Sequence, residues 1–133
     1  MGYGSEEIFL TPRQRDALIQ TYMGKTVEVT VDRPIGHVHH TKGITLHYTL
    51  NYGYIPGLMG GDGEAQDVYI LGPDEPLTRF TGKIIGAVRR RDDNEDKLIA
   101  APEGLVLSRE EIRKAIHFVE QYFDSTLQLF QEE

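Results

Sequence analysis

Acidic side chains are concentrated in two short segments that each lead into an apolar run. The first is the loop 60–67, in which Asp62, Glu64 and Asp67 lie among three glycines. Glycine lets a backbone bend sharply, so three carboxylates within six residues can converge on a hard cation. The spacing is not that of an EF-hand, and a solvated hairpin turn is the alternative interpretation, since Asp and Gly are common in turns.

The second acidic segment, residues 92–97, reads Asp-Asp-Asn-Glu-Asp-Lys and follows three consecutive arginines at 89–91. Like charges this close raise the free energy of the folded state unless cations or basic groups offset them. Because alternate residues of a strand share a face, we expect Glu95 and Lys97 to point together and Asp96 to point away. An exposed hairpin with surface ion pairs is the alternative.

Tyrosines and histidines form two further candidate groups. Tyr52 and Tyr54 flank a glycine in the segment 51–57, where a phenol is either buried with a hydrogen-bonded hydroxyl or presented to an anion. His37 and His39 lie at the spacing of residues on one face of a strand. Two imidazoles so placed bind a transition metal or an anion, although structural or surface histidines are the alternative.

The elements that position these residues follow from capping and periodicity. Thr11, Pro12 and Gln14 predict a short N-terminal helix, and Ser108 with Glu111 predicts a C-terminal one. Apolar alternation or short apolar runs predict strands over 26–31, 44–50, 68–71, 84–88 and 97–101. We therefore expect one domain over residues 1–133, mainly β with α: a small antiparallel or mixed barrel with helices packed outside.

Composition narrows the class of protein. The 133 residues are 39% apolar and 26% charged, with no cysteine and a formal charge of −7. These values exclude a disordered tail, a disulfide scaffold and any thiol-based site. The negative charge disfavours nucleic-acid binding. No apolar run is long enough for a membrane span, and the opening segment 1–7 lacks the features of a signal peptide, so a cytoplasmic protein is predicted.

Four segments, in this order along the chain, resemble the soluble family I inorganic pyrophosphatases. They are 51–56 (Asn-Tyr-Gly-Tyr-Ile-Pro), 62–68 (Asp-Gly-Glu-Ala-Gln-Asp-Val), the acidic hairpin ending at 97–99, and 117–122. The resemblance covers about residues 26–124, and its most specific element is the Asp-Gly-acid-x-x-Asp loop after Asn-Tyr-Gly-Tyr. The chain is similar to a short, divergent member of that family.

The resemblance implies an OB-like five-stranded barrel with helices, assembled as a homo-oligomer. It also implies hydrolysis of pyrophosphate to two phosphates with divalent ions, usually Mg²⁺, with Mn²⁺ as another candidate. Such ions neutralise the substrate and convert a bound water to hydroxide near neutral pH. Nucleic acid and membrane are not expected partners.

Individual roles are implied by position in the family pattern. Glu64 is the candidate general base and Asp67 the second catalytic carboxylate. The implied phosphate contacts are Tyr52, Lys97 and Tyr122. The implied metal ligands are Asp62, Asp67 and Glu95, with a further ligand from Asp92, Asp93 or Asp96.

The chain also departs from the family pattern at its phosphate-binding cations. A Lys and a Glu on the early strand are replaced by His37 and His39, so His37 is a candidate substrate contact. The family's Arg before Asn51 has no counterpart, and its Lys after the late Tyr is Phe123. Histidines and the arginines 89–91 are candidate substitutes. One alternative is a non-catalytic relative that binds a metal–phosphate or metal–nucleotide ligand; another is an unrelated barrel with two solvated hairpins.

Overall fold

Two helices and eight strands make up residues 9–131, the part of the chain that the computed structural model describes. The expectation for the opening segment 1–7 lies outside these residues. In chain order the elements are α1 (Pro12–Tyr22), β1 (Thr26–Arg33), β2 (Val38–Thr41), β3 (Ile44–His47), β4 (Asn51–Met59), β5 (Ala65–Ile70), β6 (Arg79–Arg90), β7 (Lys97–Ala101), α2 (Arg109–Glu120) and β8 (Ser125–Leu129).

Both helices begin at the capping boxes that the sequence predicts. The Thr11 side chain accepts a hydrogen bond from the Gln14 backbone N–H, and the Gln14 side chain accepts one from the Thr11 N–H. Ser108 and Glu111 are paired in the same way at the start of α2. These bonds satisfy N–H groups that the first turn leaves without a partner. Within residues 9–131, neither helix is long and apolar enough to cross a membrane.

Five strands close into a barrel, in the order β1-β4-β5-β7-β6, with β6 paired back to β1. The β5–β7 pair is parallel and the other pairs are antiparallel, so the barrel is mixed. The first part of β6 pairs with β1, and its last residues pair with both β7 and β8. The mainly β fold with two helices and a five-stranded barrel is confirmed.

Some boundaries differ from those that periodicity predicts. The alternation over 44–50 continues to Tyr48, but β3 ends at His47 and pairs only with β2, outside the barrel. The strand β8 was not predicted. Its residues follow α2 after a short turn, and they become a strand because the end of β6 offers an unpaired edge.

Four of the five barrel strands, β4 to β7, contribute to two apolar clusters, because successive side chains point to opposite faces of a sheet, whereas β1 contributes to only one of them. The α1 cluster includes Val29, Val68, Ile84 and Leu98 and packs against Ile19 of α1. The α2 cluster includes Tyr52, Tyr69, Val88 and Ile99 of the barrel together with Ile112, Ile116 and Val119 of α2. The two helices therefore cover different faces of the sheet, and the site lies on the α2 face.

Strands β1 and β4 approach so closely at Gly53 that no side chain fits. A Cβ atom there would lie 1.9 Å from the Thr30 carbonyl oxygen. We expect Gly53→Ala to lower the free energy of unfolding by about 3 kcal/mol, measured by urea denaturation, because the strands must separate. Gly43→Ala is the matched control: its Cβ meets nothing within 4 Å and its φ is +79°, so strain alone costs about 1 kcal/mol. Equal losses would contradict the close approach.

Candidate active site

Strand register places Tyr52, Asp67 and Lys97 on one face of the barrel. Tyr52 lies opposite Tyr69 in the β4–β5 pair, and Tyr69 lies opposite Ile99 in the β5–β7 pair. Paired residues point to the same side of a sheet, as do residues two apart on one strand. Asp67 precedes Tyr69 by two residues and Lys97 precedes Ile99 by two. Three neighbouring strands thus present a phenol, a carboxylate and an ammonium at one place.

The Lys97 ammonium joins the two acidic segments. Its Nζ lies 2.8 Å from Asp67 Oδ2, 3.1 Å from Glu95 Oε1 and 2.8 Å from the Tyr52 hydroxyl. The Lys97 side chain is 5% exposed, whereas Asp67 and Glu95 are 29% and 42% exposed. The cation is therefore buried beneath two carboxylates that still reach solvent. The loop 60–67 and the hairpin 92–97 meet here, as the sequence interpretation requires.

A pocket of about 630 Å³ opens above this group. Residues selected from the sequence that line it include Tyr52, Asp67, Asp92, Asp93, Glu95, Lys97 and Tyr122, together with His39 and Arg90. Others that line it include Asp32, Arg33, Lys42, Tyr48 and Phe123. Five carboxylates and several cations thus surround one space of the size of a small-molecule site.

Burial and charge act in opposite directions on Lys97. Burial by itself lowers the pKa of an ammonium, but Tyr52, Asp67 and Glu95 outweigh it and raise the pKa of Lys97 well above its ordinary value. Burial is also the main reason why the pKa of the Tyr52 hydroxyl is raised, with Asp67 adding to it and Lys97 opposing it. At neutral pH the pocket therefore contains a charged ammonium and a protonated phenol, both of which are hydrogen-bond donors.

The raised pKa of Lys97 predicts a stability contribution that does not change near neutral pH. We expect Lys97→Met to lower the free energy of unfolding by about 1–3 kcal/mol, because it leaves two carboxylates without their cation. Since the folded-state pKa is above the unfolded one, this contribution is fully present below about pH 10 and is lost as pH rises through the folded value. Urea denaturation of wild type and Lys97→Met should give the same difference in free energy of unfolding at pH 7 as at pH 9. A difference that vanishes by pH 9 would show that Lys97 loses its proton.

The arginines 89–91 are not free anion contacts, contrary to one expectation from the sequence. Arg90 lines the pocket, but its guanidinium lies 2.8 Å from buried Glu120, contacts Asp93 at 3.3 Å and stacks on the Phe123 ring. Alternation turns the other two away: Arg89 pairs with Asp16 and Arg91 with Asp124. All three charges are compensated by carboxylates of this chain.

Asp96 lies on the opposite side of β7 from the pocket and does not line it. Both of its carboxylate oxygens bind Arg15 of α1, at 2.7 Å and 2.6 Å, and one also accepts the Arg90 backbone N–H. The side chain is 5% exposed. The expectation that Asp96 is a metal ligand therefore has to be corrected, because neighbours on a strand face opposite sides. Its contacts instead connect α1 to the hairpin 92–97.

Three other candidates also lie outside the residues that line the pocket. Asp62 accepts a hydrogen bond at 3.0 Å from the Glu64 backbone N–H, which closes a turn, and Glu64 is exposed. His37 stacks on His39 at 6.4 Å between ring centroids and packs edge-on against Tyr48. His39 lines the pocket instead. Burial, then the charge of nearby Arg33, lowers the pKa of His39, so this imidazole is neutral at pH 7.

The main functional candidate that the sequence interpretation missed is Arg33. Its Nη1 donates a hydrogen bond of 2.7 Å to the Tyr48 hydroxyl, and its guanidinium lies in the pocket. The sequence Asp-Arg-Pro at 32–34 predicts the end of a strand, so no local pattern indicates that the Arg33 side chain lines the pocket. The pocket thus offers carboxylate oxygens for a hard cation together with N–H and O–H donors for phosphoryl oxygens.

Comparison with known proteins identifies the family of this chain. A family model described as inorganic pyrophosphatase matches residues 17–132. An inorganic pyrophosphatase of Xylella fastidiosa is 29% identical over 91 residues, which are 62% of this chain and 49% of that relative. The chain thus spans about half the length of that protein. An inorganic pyrophosphatase of Gluconobacter oxydans is 27% identical over 131 residues, covering 85% of this chain and 76% of the relative.

Solved structures agree in fold. The inorganic pyrophosphatase of Ehrlichia chaffeensis matches with a TM-score of 0.62 and 17% identity, over 81% of this chain and 88% of that one. A Coxiella burnetii inorganic pyrophosphatase matches with a TM-score of 0.58 and 18% identity, over 83% and 88% of the two chains. The OB-like barrel is therefore that of these enzymes. Since the family model covers most of the sequence, the chain belongs to the inorganic pyrophosphatase family.

Proposed function

We propose that this protein hydrolyses inorganic pyrophosphate to two phosphates with a divalent ion, for which Mg²⁺ is the first candidate. The observation that carries the proposal is the buried Lys97 ammonium, joined to Asp67, Glu95 and Tyr52 at the base of a pocket. It combines, in a few ångströms, donors for phosphoryl oxygens with carboxylates for a cation. Membership of the pyrophosphatase family supports the same reaction.

The donor set fits magnesium that arrives together with its substrate. Asp67, Asp92, Asp93 and Glu95 offer only oxygen atoms to the pocket, which is the ligand type of Mg²⁺. No group of three or more metal-ligating side chains is preassembled among residues 9–131. Magnesium is usually held by one or two carboxylates plus substrate phosphates, with several waters retained. Asp67 and Glu95 would hold it here, and Asp62, although outside the pocket lining, stays a proposed ligand from the turn 60–64.

A bound magnesium ion neutralises phosphoryl charge and makes a coordinated water more acidic. In our proposal Asp67 orients the attacking water and accepts its proton, because it lines the pocket and is the less exposed of the two carboxylates that contact Lys97. Lys97, Tyr52 and Tyr122 donate hydrogen bonds to the phosphoryl oxygens, where negative charge accumulates as the bridging bond breaks. Glu64 and His37 are secondary proposals for base and substrate contact, since both lie outside the pocket lining.

A phosphate-release assay tests the proposal. Wild-type protein should release two phosphates per magnesium pyrophosphate, and excess EDTA should abolish the release. Thermal denaturation is measured in parallel with and without Mg²⁺. Stabilisation by the ion without phosphate release would favour a non-catalytic metal–phosphate module. Absence of both effects would favour the alternative in which the two acidic segments are solvated hairpins of an unrelated barrel.

Assembly, domain extent and compartment are proposals too. We propose a cytoplasmic homo-oligomer in which residues 1–133 form one domain. Membership of the inorganic pyrophosphatase family supports this proposal. Light scattering of the purified protein gives the mass directly, and a monomeric mass would exclude the oligomer.

A further inference from the structure

Arg33 differs from Arg90 and Lys97, the two buried cations of the pocket, because no carboxylate among residues 9–131 forms an ion pair with it. Four basic side chains, Arg33, Lys42, Arg90 and Lys97, line this space. Arg90 is paired with Glu120 and Asp93, and Lys97 with Asp67 and Glu95. Lys42 is exposed at the turn between β2 and β3. Among residues 9–131, no carboxylate oxygen pairs with Arg33, which is only partly exposed.

The guanidinium of Arg33 is held in place by aromatic neighbours. Its central carbon lies 5.6 Å from the Tyr48 ring centroid and 5.2 Å from that of Tyr52, distances at which a cation is attracted to an aromatic ring. The Tyr48 hydroxyl accepts one of its five N–H groups. The other N–H groups have no partner among the described residues. A fixed planar fork with unused donors is suited to two oxygens of one phosphoryl group.

A β-bulge puts Arg33 on this face of the sheet. In the β1–β4 register Val31 lies opposite Gly53, but Arg33 lies opposite Tyr52, so two steps along β1 match one step along β4. Without that extra residue Arg33 would share the face of Val31, which packs in the α1 cluster. The bulge transfers it to the face of Tyr52. Bulges often aim a side chain at a functional site in this way.

Arg33 and Lys97 lie against the same ring. The Lys97 ammonium is 5.4 Å from the Tyr52 centroid, and the Arg33 guanidinium carbon is 5.2 Å from it. A small polyanion that contacts the Tyr52 hydroxyl is therefore within reach of both cations. The protein carries a net charge of −7, so an uncompensated cation at this position offsets the repulsion of an approaching anion.

We propose that Arg33 is a substrate-binding residue that binds the phosphoryl group of pyrophosphate farther from Lys97, so that β1 supplies a second phosphate-binding cation. This inference rests on the proposed function. The alternative role is purely structural, in which Arg33 only fills the space between Tyr48 and Tyr52. The two roles differ in whether removing the charge weakens anion binding or only stability.

The test uses methylenediphosphonate, a pyrophosphate analogue that cannot be hydrolysed, titrated calorimetrically in the presence of Mg²⁺. For Arg33→Gln we expect the Kd to rise about 10- to 100-fold, the effect of losing charge-assisted hydrogen bonds. Arg33→Lys retains the charge but not the planar guanidinium, so its Kd should lie between those of wild type and Arg33→Gln. In the phosphate-release assay the Arg33→Gln loss should appear mainly in KM. The matched control is Arg91→Gln, an arginine 64% exposed and paired with Asp124 outside the pocket, whose Kd should stay within about twofold of wild type.

The outcomes separate this inference from the proposed function. An unchanged Kd in Arg33→Gln, with a lowered melting temperature, would overturn the inference and assign a structural role. Wild-type protein that binds the analogue but releases no phosphate would refute hydrolysis, while the variants still decide the role of Arg33. Wild-type protein that does not bind the analogue at all would overturn both proposals.

Discussion

Asp67→Asn is expected to lower the rate of phosphate release by about 1,000-fold, while the protein stays folded. The substitution removes the carboxylate proposed to accept the proton of the attacking water, and general-base groups contribute about 10²- to 10⁴-fold. Asparagine has the same shape, and Lys97 keeps its contacts with Glu95 and Tyr52. Initial rates with magnesium pyrophosphate measure the effect, and thermal denaturation checks that the fold is intact.

Glu64→Gln is the matched control for Asp67→Asn, because it also converts a carboxylate of the loop 60–67 to its amide. Glu64 is exposed and outside the pocket lining, so we expect a decrease of less than about tenfold, below the range for a general base. A loss as large as that of Asp67→Asn would instead make Glu64 the base and would require the turn 60–64 to reach the substrate. Release that survives both substitutions would remove the carboxylates of this loop from the mechanism.

Asp96→Asn should lower the free energy of unfolding by about 3 kcal/mol, a loss as large as that expected for Gly53→Ala. Its carboxylate is 5% exposed and receives two hydrogen bonds from Arg15 and one from the Arg90 backbone. Removing one charge of a buried ion pair leaves the other without its counterion, which costs about 3–5 kcal/mol. Here Arg15 is 14% exposed and the side-chain amide of the new asparagine still accepts hydrogen bonds, so we expect a loss at the lower end of this range. Urea denaturation gives the value.

Asp16→Asn is the control for Asp96→Asn, since Asp16 is also an aspartate bonded to an arginine but is 61% exposed. Its effect should stay within about 0.5–1 kcal/mol, as for surface ion pairs. The Mg²⁺ concentration needed for half-maximal phosphate release should not change in Asp96→Asn, because Asp96 faces away from the pocket. A variant of normal stability with a weakened response to Mg²⁺ would instead support Asp96 as a metal ligand.

Several features follow from the sequence because they depend on local spacing. Both helix starts follow from capping residues three positions apart, Thr11 with Gln14 and Ser108 with Glu111. The common direction of Glu95 and Lys97 follows from the two-residue period of a strand, and their 3.1 Å contact agrees with it. Such patterns are local, since backbone geometry alone decides which side chains share a face.

Other features depend on which strands pair and in what register, and only the tertiary structure decides these. The bulge between β1 and β4 places Arg33 beside Tyr52, although uninterrupted alternation would put it on the opposite face. The partner of Asp96 is Arg15, which is 81 residues away in the chain. In the turn 60–64 the Asp62 side chain accepts a hydrogen bond from the Glu64 backbone N–H, and neither Asp62 nor Glu64 lines the pocket. Residue types and spacing thus determined the family and selected Asp67 and Lys97 as site residues. Strand pairing and long-range charge pairing brought these two together and decided which other groups reach the pocket, because such contacts join segments whose local spacing carries no information about each other.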